Sequence, residues 1–215
     1  MRRALFILGL FTLAAVWLTD LPQVARQAFW AHMTMHMAVV AVAAPFIALG
    51  VAGTRFDPVR KTPKFYAPIP ASLVELAVVW IWHAPVLHQF ARHNVAGLIA
   101  EQASFIISGL LMWLSAFGGE ASCGRNRSAT GVVGLLLTSM HMTLLGALLA
   151  LSPRPLYWHE THAVAAVPTI LTALQDQHLG GAIMLLVGGL SYLIGGLGLT
   201  AGLVQKALPK QQEKA

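Results

Sequence analysis

Charged residues are scarce in this chain of 215 residues. Asp, Glu, Lys and Arg together make up 10% of the sequence, and hydrophobic residues make up 57%. A soluble domain usually has about 25% charged residues. The composition therefore excludes an ordinary water-soluble domain and predicts an integral membrane protein.

Cysteine is also scarce, because Cys123 is the only one in the sequence. A single cysteine excludes an internal disulfide and any Cys-x-x-Cys metal or redox motif. The net charge is +6, but basic residues interleaved with aromatic ones are missing. We therefore expect no nucleic-acid partner.

Long apolar segments are what the chain has instead. About twenty apolar residues in a helix cross a hydrocarbon layer of about 30 Å. The sequence predicts an all-α, polytopic membrane bundle with about six transmembrane helices in a single domain, 1–205, followed by a cytoplasmic tail, 206–215. The first segment resembles a signal peptide, but no A-x-A site precedes Asp20, so an uncleaved helix is expected. The predicted helices are 4–21, 28–53, 67–90, 95–117, 129–151 and 179–205.

The basic residues indicate how this bundle is oriented. Cytoplasmic loops of membrane proteins carry most of the Lys and Arg. With six crossings and both termini in the cytoplasm, the outer loops contain only Arg26, Arg92 and Arg154. The inner segments contain Arg2, Arg3, Arg55, Arg60, Lys61, Lys64, Arg125, Arg127, Lys206, Lys210 and Lys214.

The longest predicted outer loop is 152–178. Its middle, from His162 to Leu174, is apolar but short, and it contains Pro168. We expect this part to lie on the membrane surface or to dip into it. A seventh crossing there would place the basic C-terminal tail outside the cytoplasm.

Histidines are unusually numerous, since nine histidines outnumber eight carboxylates. On the predicted topology every histidine lies in the outer half of the membrane or beyond it, and several methionines accompany them. Neutral imidazole suits Cu, Zn, Fe and Ni, whereas a thioether favours Cu(I). The pattern predicts an extracytoplasmic copper site, with Cu(I) as the preferred ion.

Spacing and depth select the candidate ligands. His32 and His36 are four residues apart and share one helical face. His83 precedes Pro85, which should kink or end its helix and could turn the ring inward. Thr138, one turn before His141, could orient its imidazole. The predicted ligands are His32, His36, His83, His141, Met33, Met37, Met142 and Glu101.

Each of these residues also has an ordinary structural explanation. Histidines near the interface can bond to lipid headgroups or neighbouring helices, and methionines in apolar helices usually fill space. His88 and His93 lie nearer to water, so we expect no ligand role for them, and we expect Glu75 to be structural. His162, Asp176 and His178 form a candidate entrance or secondary metal site, although Asp176 could instead stabilise a helix N-terminus.

Five motifs occur along the chain in the order His32–Met37 followed by Ala44-Pro45, Trp82–Pro85, Glu101–Phe105, Leu145–Leu149 leading into Ser152–Tyr157, and Asp176–Gly181. Taken together they resemble the CtaG family of membrane proteins, which assist assembly of caa3-type cytochrome c oxidase. The likeness extends from residue 29 to about residue 200. The sequence departs from the family pattern at Gln102, where a second histidine is common, and at Leu185 and Val187, where Trp and Pro are usual. The family often has seven crossings, whereas the charge pattern supports six.

The resemblance implies a non-enzymatic, multi-pass protein of the bacterial cytoplasmic membrane that helps copper reach the oxidase. The implied partners are cytochrome c oxidase subunits, membrane lipid and an extracytoplasmic copper donor. Two other functions stay open. Histidines on facing helices could ligate a haem b for electron transfer, and a metal or proton transporter would need polar residues that continue to the cytoplasmic face.

Overall fold

The computed structural model describes residues 1–119, 125–157 and 171–207, and all regular structure within these ranges is helical. Two of the long helices contain a wider π-helical segment, Ala38–Ala43 in one and Met184–Gly188 in the other. A short 3₁₀ turn occupies Pro63–Phe65. The helices are α1 (Arg2–Leu18), α2 (Leu21–Ala25), α3 (Phe29–Val51), α4 (Pro58–Lys61), α5 (Pro68–Trp82), α6 (Pro85–His93), α7 (Val95–Phe117), α8 (Arg125–Ala150) and α9 (Ala173–Ile183, Met184–Gly188 and Gly189–Ala207).

Within the described residues, four helices are long and apolar enough to cross a membrane, namely α3, α7, α8 and α9. The pair α5 and α6 would add a fifth crossing if the two are counted as one broken span, bent by 73°. With 17 residues, α1 is at the lower limit of length for a helix that crosses the hydrocarbon layer. The structure therefore agrees with a helical membrane protein, and six crossings remain a prediction.

The long helices run alternately between two ends of the bundle. At one end, which we name the histidine end, the connections are residues 19–28, 83–84, 94 and 151–157. Arg26 Nε donates to the carbonyl of Arg92 at 2.9 Å, and Arg92 donates back to the carbonyl of Arg26 at 3.0 Å. At the opposite end, the Asp57 carboxylate accepts from the backbone N–H groups of Gly53 (2.6 Å) and Gly119 (2.8 Å). These contacts join different loops, so each end of the bundle is fixed.

Glycine allows α1 to pack closely along α3. A Cβ atom at Gly9 would lie 2.6 Å from Ile47, and one at Gly50 would lie 2.7 Å from Phe6. Neither distance leaves room for a side chain. The first apolar segment therefore packs within the helical bundle.

Two helix boundaries differ from the predicted ones. The third apolar segment is divided into α5 and α6 at the break predicted before Pro85. The last helix begins at Ala173 rather than near residue 179, because Thr172 and Gln175 form a reciprocal capping box at its start. The polar residues assigned to the outer loop after position 172 are therefore helical.

Candidate metal centre

The centre of the site is formed by α3 and α7. His32 Nε2 lies 3.3 Å from Glu101 Oε1, and His36 Nε2 lies 3.4 Å from the same oxygen. One ligand atom from each of these three residues lies within 4.8 Å of the other two. All three side chains are buried. The i, i+4 spacing on α3 therefore brings two imidazoles to one carboxylate, as a metal site requires.

Gln102 fixes the orientation of the His36 ring. Its amide nitrogen lies 2.6 Å from His36 Nδ1, so the amide donates to that atom. If the amide turned by half a rotation, its oxygen would accept from an Nδ1–H instead. Gln102 can therefore support either tautomer of His36, including the one that leaves Nε2 free to bind a metal.

The break between α5 and α6 supplies a third imidazole. His83 Nδ1 donates to the carbonyl of Val79 at 2.7 Å, which leaves Nε2 free. The ring centroid lies 5.9 Å from that of His36. A backbone carbonyl that holds one ring nitrogen is the usual support of a metal-bound histidine.

Tyr157 fixes this break from the loop after α8. Its hydroxyl donates to the carbonyl of His83 at 2.8 Å, and its ring stacks on Phe29 with centroids 4.7 Å apart. Burial, together with the nearby Glu101 carboxylate, raises the pKa of Tyr157. The hydroxyl therefore remains a hydrogen-bond donor.

His88 is the fourth imidazole, and the expectation that it lies near water was wrong. Its side chain has no exposed surface, and its ring centroid lies 4.6 Å from that of His32. Neither ring nitrogen has a hydrogen-bond partner among the described residues. His93, five positions later on α6, is exposed and bonds to Gln89, as expected for a surface histidine.

We name these residues, His32, His36, His83, His88 and Glu101, the histidine cluster. A buried polar atom without a partner costs about 1–3 kcal/mol, and native proteins contain few of them. A neutral imidazole has one lone pair and one N–H, so each ring offers one site to a cation. Ligand atoms of His32, His36 and Glu101 lie within 4.8 Å of one another, and the rings of His88 and His83 border this group. The unpartnered atoms are His32 Nδ1, His36 Nε2, His83 Nε2, both ring nitrogens of His88, and Glu101 Oε2.

His141 is buried on α8, but none of the ring contacts found in the described part of the chain joins it to the histidine cluster. The expectation that Thr138 orients it was wrong, because the Thr138 hydroxyl lies 2.9 Å from that of Ser72 and both His141 nitrogens lack partners. The structure thus places this predicted ligand apart from the others.

The candidate methionine ligands pack against α9. Met33 Cγ lies 3.0 Å from the position of a Cβ at Gly180, and Met37 Sδ lies 3.1 Å from that at Gly188. Met142 approaches the same Gly188 position at 3.5 Å. All three side chains are buried. The contacts of Met33 and Met37 with α9 involve a different face of α3 from the ring contact of His36 with Phe105 of α7.

The candidate entrance site is only partly described. Asp176 accepts from the backbone N–H groups of Phe29 (2.7 Å) and Trp30 (2.8 Å). It therefore stabilises a helix N-terminus, but that of the neighbouring helix α3 rather than its own. His178 Nε2 lies 2.9 Å from the carbonyl of Ser152. His162 is outside the described residues.

A family model described as cytochrome c oxidase caa3 assembly factor (Caa3_CtaG) matches residues 1–206. The chain belongs to this family. The resemblance drawn from the five motifs is confirmed, and it covers nearly the whole sequence. Comparisons with curated proteins and with solved structures found no match. The histidine cluster includes residues from three of the five motifs, which lie on α3, at the break between α5 and α6, and on α7.

Proposed function

We propose that this member of the family binds copper at the histidine cluster and passes it to a haem-copper cytochrome c oxidase during assembly. The observation that carries the proposal is the group of unpartnered, buried ring nitrogens around Glu101. Family membership supports the oxidase as the recipient.

The chemistry of the donor set supports copper. Neutral imidazoles bind copper well, and cysteine, which would also attract zinc and iron–sulfur clusters, contributes nothing to the histidine cluster. Imidazole and carboxylate ligands can be exchanged one at a time with a partner protein. Such a transfer is a ligand exchange, and we therefore propose a non-enzymatic role.

The distribution of basic residues supports capture from outside the cytoplasm. The histidine end has Arg26, Arg92 and Arg154, whereas the other Lys and Arg residues belong to the segments assigned to the cytoplasm. We propose six crossings of the bacterial cytoplasmic membrane, with both termini inside. Copper from an extracytoplasmic donor would then reach the cluster, and leave it, at the histidine end.

The two alternative functions receive less support. The ring centroids of His36 and His88 lie 4.2 and 4.6 Å from that of His32, so a porphyrin does not fit between these rings. The His36 and His83 centroids are 5.9 Å apart, but no ring contact joins His141 to either of them among the described residues. A transporter needs polar groups that continue through the bundle. Further from the histidine end than His36, Glu75 provides a buried polar group. Further still, Met112 and Leu199 pack against α8, and Trp113 packs against α9.

The experiment is metal analysis of the protein purified in detergent. Bound copper, zinc, iron and haem are measured together, and Cu(I) is then titrated under anaerobic conditions against a chromogenic chelator. We expect one tightly bound copper ion in the wild type. His36→Ala and Glu101→Gln should weaken its binding, and cells that carry either variant should assemble less copper-loaded oxidase.

His93→Ala is the matched control, because this histidine is at the same end of the bundle but is exposed and bonds to Gln89. It should bind Cu(I) as the wild type does. The proposal is wrong if the wild type takes up no copper after Cu(I) loading, or if the two cluster variants support normal oxidase assembly. A Soret band in the purified protein would favour the haem function instead.

A further inference from the structure

The π-helical segment of α3, Ala38–Ala43, comes directly after the helical turn that contains His36. A π segment includes extra residues in its turn, so it rotates the later half of the helix relative to the earlier half. Such segments are rare and frequently occur at functional sites. Here the turn separates the half of α3 that faces Glu101 from the half that packs on α1.

Side chains of α9 bind the backbone of this segment. Ser191 Oγ donates to the carbonyl of Ala41 at 2.7 Å, and the Tyr192 hydroxyl lies 3.3 Å from the carbonyl of Val40. Val40 is one turn after His36 on the same helix. A helix from the far end of the sequence therefore fixes the π segment that directly follows the turn containing His36.

Tyr192 is held in turn by Glu75 of α5. Its hydroxyl is hydrogen-bonded to Glu75 Oε1, and both side chains are fully buried. One hydroxyl hydrogen cannot serve two acceptors equally. If Glu75 carries a proton, it can donate to the Tyr192 oxygen, and Tyr192 can then donate to Val40. This arrangement also avoids the cost of a charged carboxylate inside the membrane, about 2.5–3.5 kcal/mol.

We propose that Tyr192, supported by Glu75, is a positioning residue for the metal centre. It fixes the π segment of α3 and thereby the direction in which His32 and His36 face Glu101. The inference rests on the proposed copper-binding function. It adds a residue that orients the ligands indirectly, through the backbone of their helix. It also gives Glu75 a specific role that its depth in the membrane did not indicate.

Tyr192→Phe tests this inference, because it removes the hydroxyl and keeps the ring. We expect the variant to purify as a folded protein with Cu(I) affinity lowered about 10–100-fold, the usual effect of losing a group that orients a ligand. The X-ray absorption spectrum of bound Cu(I) should show fewer nitrogen neighbours. Ser191→Ala, which removes only the bond to Ala41, should give a smaller loss.

Two further substitutions distinguish positioning from general packing. Glu75→Gln retains a donor for Tyr192 and should bind Cu(I) as the wild type does, whereas Glu75→Leu should resemble Tyr192→Phe. Thr200→Val is the control on α9, because the Thr200 hydroxyl bonds to Gly196 of its own helix at 2.9 Å. It should leave both the affinity and the spectrum unchanged.

The outcomes separate this inference from the proposed function. If Tyr192→Phe and Ser191→Ala keep the wild-type affinity and spectrum, the positioning role is wrong and copper binding stands. If Glu75→Gln loses as much affinity as Glu75→Leu, the hydrogen-bond chain is wrong. A wild type that binds no Cu(I) overturns both proposals.

Discussion

At the scale of single residues, a contact can be predicted from the sequence when it depends on spacing along one helix. A contact that depends on how two helices pack cannot be predicted in this way. His32 and His36 meet one carboxylate because residues four apart share a helical face. His88 could not be identified in this way, since its burial depends on the 73° bend that directs α6 toward α3. The composition of α6 gives no indication of that angle.

The methionines show that neighbours in sequence can contact different helices. Met33 and Met37 follow His32 and His36 directly, so the sequence places sulfur next to imidazole. Adjacent residues in a helix point about 100° apart, because 3.6 residues complete a turn. Met33 and Met37 contact α9, whereas His32 and His36 contact Glu101 of α7. A thioether role for these methionines stays a prediction.

His88→Ala is the substitution that tests the added ligand. We expect Cu(I) affinity to fall at least about tenfold, as much as for a lost supporting group, because His88 contributes free ring nitrogens next to His32. Competition with a Cu(I) chelator measures the change. The control is His93→Ala on the exposed side of α6, and equal affinities for the two variants would contradict a ligand role for His88.

At the scale of helices, the sequence predicted most of the architecture. The segments 28–53 and 95–117 correspond closely to α3 and α7, since uninterrupted apolar runs leave little choice. The start of α9 was missed because Asp176 and His178 were assigned to a polar loop. Polar residues are common in the first turn of a helix, where they cap free N–H groups, and here Asp176 caps a neighbouring helix instead.

Asp176→Ala should therefore lower the stability of the protein in detergent by about 0.5–2 kcal/mol, the usual cost of removing a helix cap. Thermal unfolding followed by circular dichroism measures the change. His178→Ala, which removes a single bond to the Ser152 carbonyl, should have a smaller effect. An unchanged stability of Asp176→Ala, with slower copper uptake, would show instead that the carboxylate serves as an entrance ligand.

At the scale of the whole molecule, orientation in the membrane was inferred from charge alone. Helix packing determines which loops share an end of the bundle, and the loops do alternate between two ends. Helix packing does not show which end faces the cytoplasm, because a bundle has the same internal contacts in either orientation. The count of basic residues supplies that information through the preference of cytoplasmic loops for Lys and Arg.

Cys123 allows the orientation to be tested with the natural sequence, because it lies between α7 and α8, on the side assigned to the cytoplasm. A membrane-impermeant maleimide should label it in inverted vesicles and leave it unlabelled in intact spheroplasts. Cys123→Ser combined with Arg154→Cys should give the opposite pattern. Labelling of Cys123 from outside would reverse the topology and place the histidine cluster on the cytoplasmic side.

The presence of a single carboxylate in the histidine cluster bears on the oxidation state of the copper that we propose it binds. Neutral imidazoles add no charge, so an ionised Glu101 balances one positive charge. Cu(I) would make the buried centre electrically neutral, whereas Cu(II) would leave a net charge in a medium where an uncompensated ion costs several kcal/mol. We therefore expect the bound copper to have a raised reduction potential and to stay cuprous in air, through charge balance rather than through thioether ligands.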